Sequence, residues 1–410
     1  MQKNEANRLE SAKFLRNALI GFCVIFLMTY KAIVNRYDND YFFHTTWALE
    51  LSRYNIVDWF INTIPYPLWH LGVKICVDIL EISAEKATAL VTALYQGAAF
   101  LSILAIWSLI KSINIERSKQ VFWAVCLLIV NPLYAPWFNQ NYYLGQIPPN
   151  ALHNPTVIAA KCFTILSFGL IVALLQNRED KSDSEKSNNM YLYIALSVAL
   201  LLSALAKPSF LQGFIPGVGL FIIVRLILER KNFNLKFYLK LCIAFVPAAT
   251  ILLFQYLITF FNADSMREGI YIKIAWGNFF HKYTDNLFIS FLLSFAFPLF
   301  VLCMNLKKLL RSEKVQLMIS YEVVAYLESV LLCEAGVAGD AGDFTWGGML
   351  SALIVWIMML ECYIQELYDV HEEGTLRRRF LIYGGLILFA AHLVFGIVYW
   401  YNFIYHKGIM

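Results

Sequence analysis

The sequence predicts an all-α fold, a polytopic membrane bundle of about 11 spanning helices with interfacial helices in the first external loop. Three observations predict it. Hydrophobic residues make up 59 % of the chain and charged ones only 15 %, its mean hydropathy is +0.58, and apolar stretches of spanning length recur from end to end. A soluble chain of this size has too little interior to hide that much apolar surface. Cytosolic enzymes, secreted domains, disordered chains and nucleic-acid binders are thereby excluded.

The elements follow in order. A basic, polar cytoplasmic start over 1–14 precedes the first span at 15–34, which is too long, and lacks the small-residue exit, for a cleaved signal peptide. The alternation of basic connections works only if the external loop 35–88 crosses the membrane an even number of times, so 66–82 reads as an interfacial or re-entrant helix; the alternative is a twelfth span there that inverts everything downstream. Its Pro65-Tyr66-Pro67 start and the charges Lys74, Asp78 and Glu81 suit a surface-lying element. Ten further spans are expected at 89–110, 120–137, 155–176, 190–206, 209–228, 237–261, 286–305, 315–334, 347–366 and 380–404.

Basic residues fill every second connection, as in Lys111, Arg117 and Lys119, then Arg230, Lys231 and Lys236, then Arg377, Arg378 and Arg379. Lysine and arginine near membrane helices stay cytoplasmic, so these loops mark the inner side and loops such as 35–88 and 138–154 the outer one. The expected division is an N-terminal membrane half over 15–176, a polar cytoplasmic linker over 177–189 and a C-terminal membrane half over 190–410. Neither half carries matched, glycine-interrupted short helices of transporter type. The eight cysteines stand singly in apolar segments, without metal or disulfide spacing.

Chemistry is therefore expected on the outer face. Asp38, Asp40 and His44 follow the first span directly, and a short helix opening at Asp40 would put His44 on the same face; the same aspartates also suit plain helix capping. The uncharged loop 138–154 carries Asn141, Tyr143, Gln146, His153 and Asn154. Amides and rings of this kind hydrogen-bond hydroxyls and stack on sugars, and they equally suit an aromatic interfacial belt. Lys161, Lys207 and Arg267 lie at outer helix ends, where a phosphate would partner them and snorkelling would also explain them. Glu334, Asp340 and Asp343, with Trp346, flank a glycine-rich connection whose carboxylates could bind a divalent cation weakly or serve as turn residues. No cofactor is firmly implied.

The acidic first loop Asp40-Tyr41-Phe42-Phe43-His44, the Tyr66-Pro67-Leu68-Trp69-His70 turn and the run from Leu144-Gly145-Gln146 to His153-Asn154-Pro155 together resemble the glycosyltransferase-C superfamily of bacterial type. The resemblance implies a membrane enzyme that takes a sugar from a polyprenyl-phosphate donor and passes it, with inversion, to a polysaccharide or glycolipid acceptor on the extracytoplasmic face. It implies Asp40 as general base, with Asp38 beside it, and His70 among the binding residues. Membrane lipid is a further partner, and nucleic acid is not. This chain interposes Asn39 where the family often has two carboxylates in succession. A transporter or flippase of lipid-linked oligosaccharide, and a polysaccharide polymerase or ligase, are the other readings.

Overall fold

The computed structural model describes the chain apart from residues 1, 38, 53–54, 111–114, 139–140, 142–143, 180–188, 262–268, 278, 337–340, 374–375 and 406–410. In order come α1 (Gln2–Asn35), α2 (Asn39–Glu50), α3 (Ile56–Asp58), α4 (Leu68–Leu80), α5 (Ala84–Leu109), α6 (Arg117–Leu127), α7 (Pro155–Glu179), α8 (Asn189–Ala206), α9 (Ser209–Glu229) and α10 (Leu235–Phe261). After strand β1 (Ile270–Ile274) follow α11 (Leu287–Met304), α12 (Leu306–Leu309), α13 (Glu313–Leu331), strand β2 (Leu332–Gly336), α14 (Thr345–Glu373) and α15 (Leu376–Tyr405). Among the described residues, 9 helices are long and apolar enough to cross a membrane: α1, α5, α7, α8, α9, α10, α11, α14 and α15. The chain is an all-α polytopic membrane bundle.

Two of the expected spans differ. The one at 120–137 is helical only as far as Leu127. Pro132 pushes Asn131 out of helical backbone and denies the Leu128 carbonyl its amide, so the chain runs on irregularly. Side chains take over the stranded backbone groups. Asn150 Nδ2 donates to the carbonyls of Leu127 at 2.7 Å and Val130 at 2.9 Å, and Gln146 Nε2 donates to Leu133 at 2.9 Å. Helix α15 passes so close that a Cβ on Gly396 would collide with the Ile129 carbonyl oxygen.

The expected span at 315–334 is α13, which carries Glu313, Lys314, Glu322 and Glu328 and does not meet the apolar standard of a span. It is shielded by its neighbours, wedged between α9 and α14. Close approach relies on small residues: a Cβ on Gly217 would lie 2.8 Å from Tyr321 Cα. At Leu332 the chain leaves the helix as β2, which pairs antiparallel with β1 and sets Ile272 opposite Glu334.

The segment expected at 66–82 forms α4, whose 13 residues are too few to span a bilayer. It buries Trp69, His70 and Val73 and closes a Lys74–Asp78 ion pair of 3.2 Å on its open face. The start of α7 and the end of α10 lie at one end of the bundle. At the opposite end Arg178 of α7 and Arg225 of α9 share Glu229 and Glu313, and Arg178 also donates to the Tyr238 hydroxyl at 2.9 Å.

Candidate active site

Helix α2 starts at Asn39, so Asp40 falls in its first turn, where the helix dipole favours a carboxylate. His44 is one turn further along the same face. Across from them, α7 begins with the sequence Asn154-Pro155-Thr156. Proline suits the first helical position, and Asn154 supplies the cap. Its Oδ1 accepts from the Thr156 amide at 3.1 Å, the Val157 amide at 3.1 Å and the Thr156 hydroxyl at 2.7 Å.

That commitment fixes the amide's other end. Asn154 Nδ2 donates to Asp40 Oδ2 at 2.8 Å and lies 3.4 Å from His44 Nε2. His153 Nε2 is 3.8 Å from the same Asp40 oxygen. The loop is pinned from two sides at Leu152, whose carbonyl accepts from Tyr41 and whose amide donates to the Tyr399 hydroxyl at 2.9 Å.

Behind this group His44 Nδ1 meets His70 Nε2 at 3.0 Å. Because Asn154 Nδ2 can only donate, His44 Nε2 accepts, and its Nδ1–H is left to donate to His70. Both imidazoles are buried. Desolvation pushes the His70 imidazole down to about 3, aided by the charge of Lys207 and opposed by the Tyr66 backbone. His44 and His70 therefore support Asp40 from behind and line neither cavity described below.

In front lies a cavity of about 480 Å³ bordered by Asp40, Phe43, Gln146, His153, Tyr283, Asp343 and Trp346. The His153 and Trp346 rings stack with centroids 6.1 Å apart and 17° between planes. Trp346 Nε1 donates to Asp343 Oδ1 at 3.3 Å. Asp343 also borders a second, smaller pocket of about 60 Å³, with Tyr66, Lys207, Gln255, Glu334 and, from α10, Leu252, Tyr256 and Phe260.

Lys207 stands between the two spaces. Its ammonium is 5.5 Å from the Tyr66 ring centre and 5.7 Å from that of Trp346, and the residue is only 4 % exposed. Ring faces hold it there, an attraction that strengthens on desolvation. Pro208 removes the amide that would have bonded the Ala204 carbonyl. Gln255 Nε2 donates to that carbonyl at 2.9 Å and to the Pro65 carbonyl at 2.8 Å, tying α10 to α8 beside the pocket.

The remaining candidates are dispersed. Lys161 is buried on α7, about two turns past Asn154, borders neither space, and its Nζ has no hydrogen-bond partner among the described residues. Gln146 borders the cavity, but its amide nitrogen is engaged by the Leu133 carbonyl. Asn141 is half-buried and borders neither space, while Glu334 reaches the smaller pocket from β2. Asp38, Tyr143, Arg267 and Asp340 lie outside the described residues.

Sequence reasoning named Tyr66 only within the turn that opens α4 and passed over Gln255 and Tyr283. A lone amide within an apolar span was the available signal for Gln255. Among the described residues, no three His, Cys, Asp or Glu side chains converge to hold a metal ion.

No family model matches the chain, and no curated protein does. Among solved structures it is similar to the crystal structure of ArnT from Cupriavidus metallidurans bound to undecaprenyl phosphate, with 12 % identity, 95 % of this chain and 75 % of that chain covered, and a TM-score of 0.48.

Proposed function

We propose that this protein is an inverting membrane glycosyltransferase that moves a sugar from a polyprenyl-phosphate donor to a polysaccharide or glycolipid hydroxyl on the extracytoplasmic face. The observation that carries this reading is one continuous line of contacts. Asp40 borders the larger cavity, His153 lies beside it and stacks on Trp346, and Trp346 in turn contacts the Lys207 ammonium at the smaller pocket. A base and a cation thus address neighbouring spaces joined by aromatic rings.

Asp40 takes the proton of the acceptor hydroxyl as its oxygen attacks the anomeric carbon. The bond from that carbon to the lipid phosphate oxygen breaks on the opposite side, and the pair of electrons leaves with the phosphate. Lys207 neutralises this charge as it develops. The apolar side chains of α10 around the smaller pocket suit a prenyl chain, and His153 and Trp346 offer ring faces to the sugars. The outward orientation rests on the basic connections, which mark the other end as cytoplasmic.

The test is Asp40→Asn in proteoliposomes supplied with polyprenyl-phosphate sugars. Transfer should fall about 10²–10⁴-fold, the usual worth of a general base, with unchanged expression and melting temperature. Wild-type turnover in that variant would remove Asp40 from the mechanism. Release of lipid monophosphate, read by thin-layer chromatography, separates this reaction from a diphosphate-releasing polymerase or ligase.

A further inference from the structure

A lateral groove opens at the end of the bundle opposite the candidate site, between α8 and α10. The two helices run parallel. Near the site end Gln255 ties α10 to the Ala204 carbonyl of α8, and toward the other end a space of about 460 Å³ lies between them. Met190, Ile194 and Ser197 present one stripe of α8, and Lys240, Ile243 and Pro247 the facing stripe of α10. From Asn189 to Ser197 the groove is about 12 Å deep along the helix axis.

Its chemistry is divided by depth. The walls are apolar, and Met190, Ile194 and Ile243 are strongly exposed along it. At the mouth stands Lys240, and Lys236 lies one turn nearer the helix end. Arg230 and Lys231 follow in the short turn that joins α9 to α10, all four of these basic side chains being exposed. Among the described residues no carboxylate borders the groove, and the nearby Glu229 is already paired with Arg178 and Arg225. Pro247, inside α10, deprives the Ile243 carbonyl of its helical amide within the groove wall. In hydrocarbon such a group needs a partner.

We infer that this groove is a binding site for an anionic phospholipid, its acyl chain lying between α8 and α10 and its phosphate beside Lys240 and Lys236. A largely apolar slot with Lys240 on its lining and Lys236 one turn beyond on the same helix matches a lipid of that sign. A zwitterionic lipid satisfies the slot but not the charge. Basic pockets between membrane helices select anionic head groups in this way. The site is separate from the sugar-transfer chemistry and does not depend on it.

Native mass spectrometry of the full chain in mild detergent, titrated with phosphatidylglycerol or phosphatidylcholine, tests this. Phosphatidylglycerol should be retained in preference. Lys240→Ala should weaken its binding about 5-fold, and Lys236→Ala with Lys240→Ala about 30-fold, at the worth of a basic residue near a lipid surface. Ile194→Trp, which fills the groove and leaves every charge in place, should abolish the preference. Melting temperatures without added lipid check that each variant folds. Equal retention of the two lipids would overturn the inference. So would an Ile194→Trp protein that binds phosphatidylglycerol as the wild type does, since general surface charge would then account for the attraction.

Discussion

Replacing Asn154 by Asp would keep the oxygen that caps α7 but set a second carboxylate where Nδ2 now donates to Asp40 at 2.8 Å. Two carboxylates at that separation cannot both ionise freely, so one takes up a proton and less of the pair is fully ionised at neutral pH. The expected result is a transfer rate that falls at least about ten-fold, with an optimum moved to higher pH and little change in melting temperature, because Asp caps as well as Asn. A pH–rate profile identical to wild type would argue against the pairing. His70 yields a stability prediction of known sign. Its folded value of about 3 lies below the ordinary 6.5, so below pH 6.5 the unfolded chain binds the proton that the folded chain refuses. Its contribution is complete above pH 6.5 and is lost as the pH falls toward 3, with a limiting slope of about 1.4 kcal/mol per pH unit. Thermal unfolding of wild type and His70→Gln between those limits should show a shallower decline in the variant. The spacing of Asp40 and His44 on one helix face could be read from four residues of sequence. Their meeting with Asn154 could not, since 110 or more residues separate them and no local pattern encodes the encounter.

Two helices of this chain, α6 and α8, end close before a proline, and side-chain amides bond backbone carbonyls left there. At Pro208 Gln255 takes the very carbonyl that the proline deprives, and beyond α6 Asn150 and Gln146 take carbonyls on either side of Pro132. Gln255→Leu should leave the Pro65 and Ala204 carbonyls without a donor and cost about 1–3 kcal/mol for each. A lowered melting temperature should accompany easier labelling of a cysteine placed at the nearby Thr259, and an unchanged melting temperature would mean that other groups satisfy both carbonyls. Hydropathy alone made a span of 120–137 because a window average scarcely registers one proline. In 315–334 it registered length but not that Glu313, Glu322 and Glu328 could be sheltered between α9 and α14. The strands β1 and β2 were illegible for another reason. Each has only 5 residues, and each finds its partner some 60 positions away, beyond the reach of any hairpin signal.

At the scale of the molecule, composition and the alternation of basic connections made the membrane bundle readable, since both depend on how water and lipid treat single residues. Arg178, Arg225, Lys308 and Arg378 do gather at one end in ion pairs with Glu229, Glu313 and Glu366, and Asp40, His153, Lys207 and Asp343 at the other. The assembly of the latter group from α2, the loop before α7, the turn before α9 and the turn before α14 depends on packing, which single-sequence periodicity does not carry. The smaller pocket has a consequence of its own. One of its walls is the flank of α10 that carries Leu252, Tyr256 and Phe260, with Tyr256 exposed. A lipid-borne donor reaching Lys207 along that flank searches a surface rather than a volume. If the proposed transfer is correct, saturation follows the donor's mole fraction in the bilayer, and diluting the membrane with inert lipid slows transfer while diluting the buffer does not.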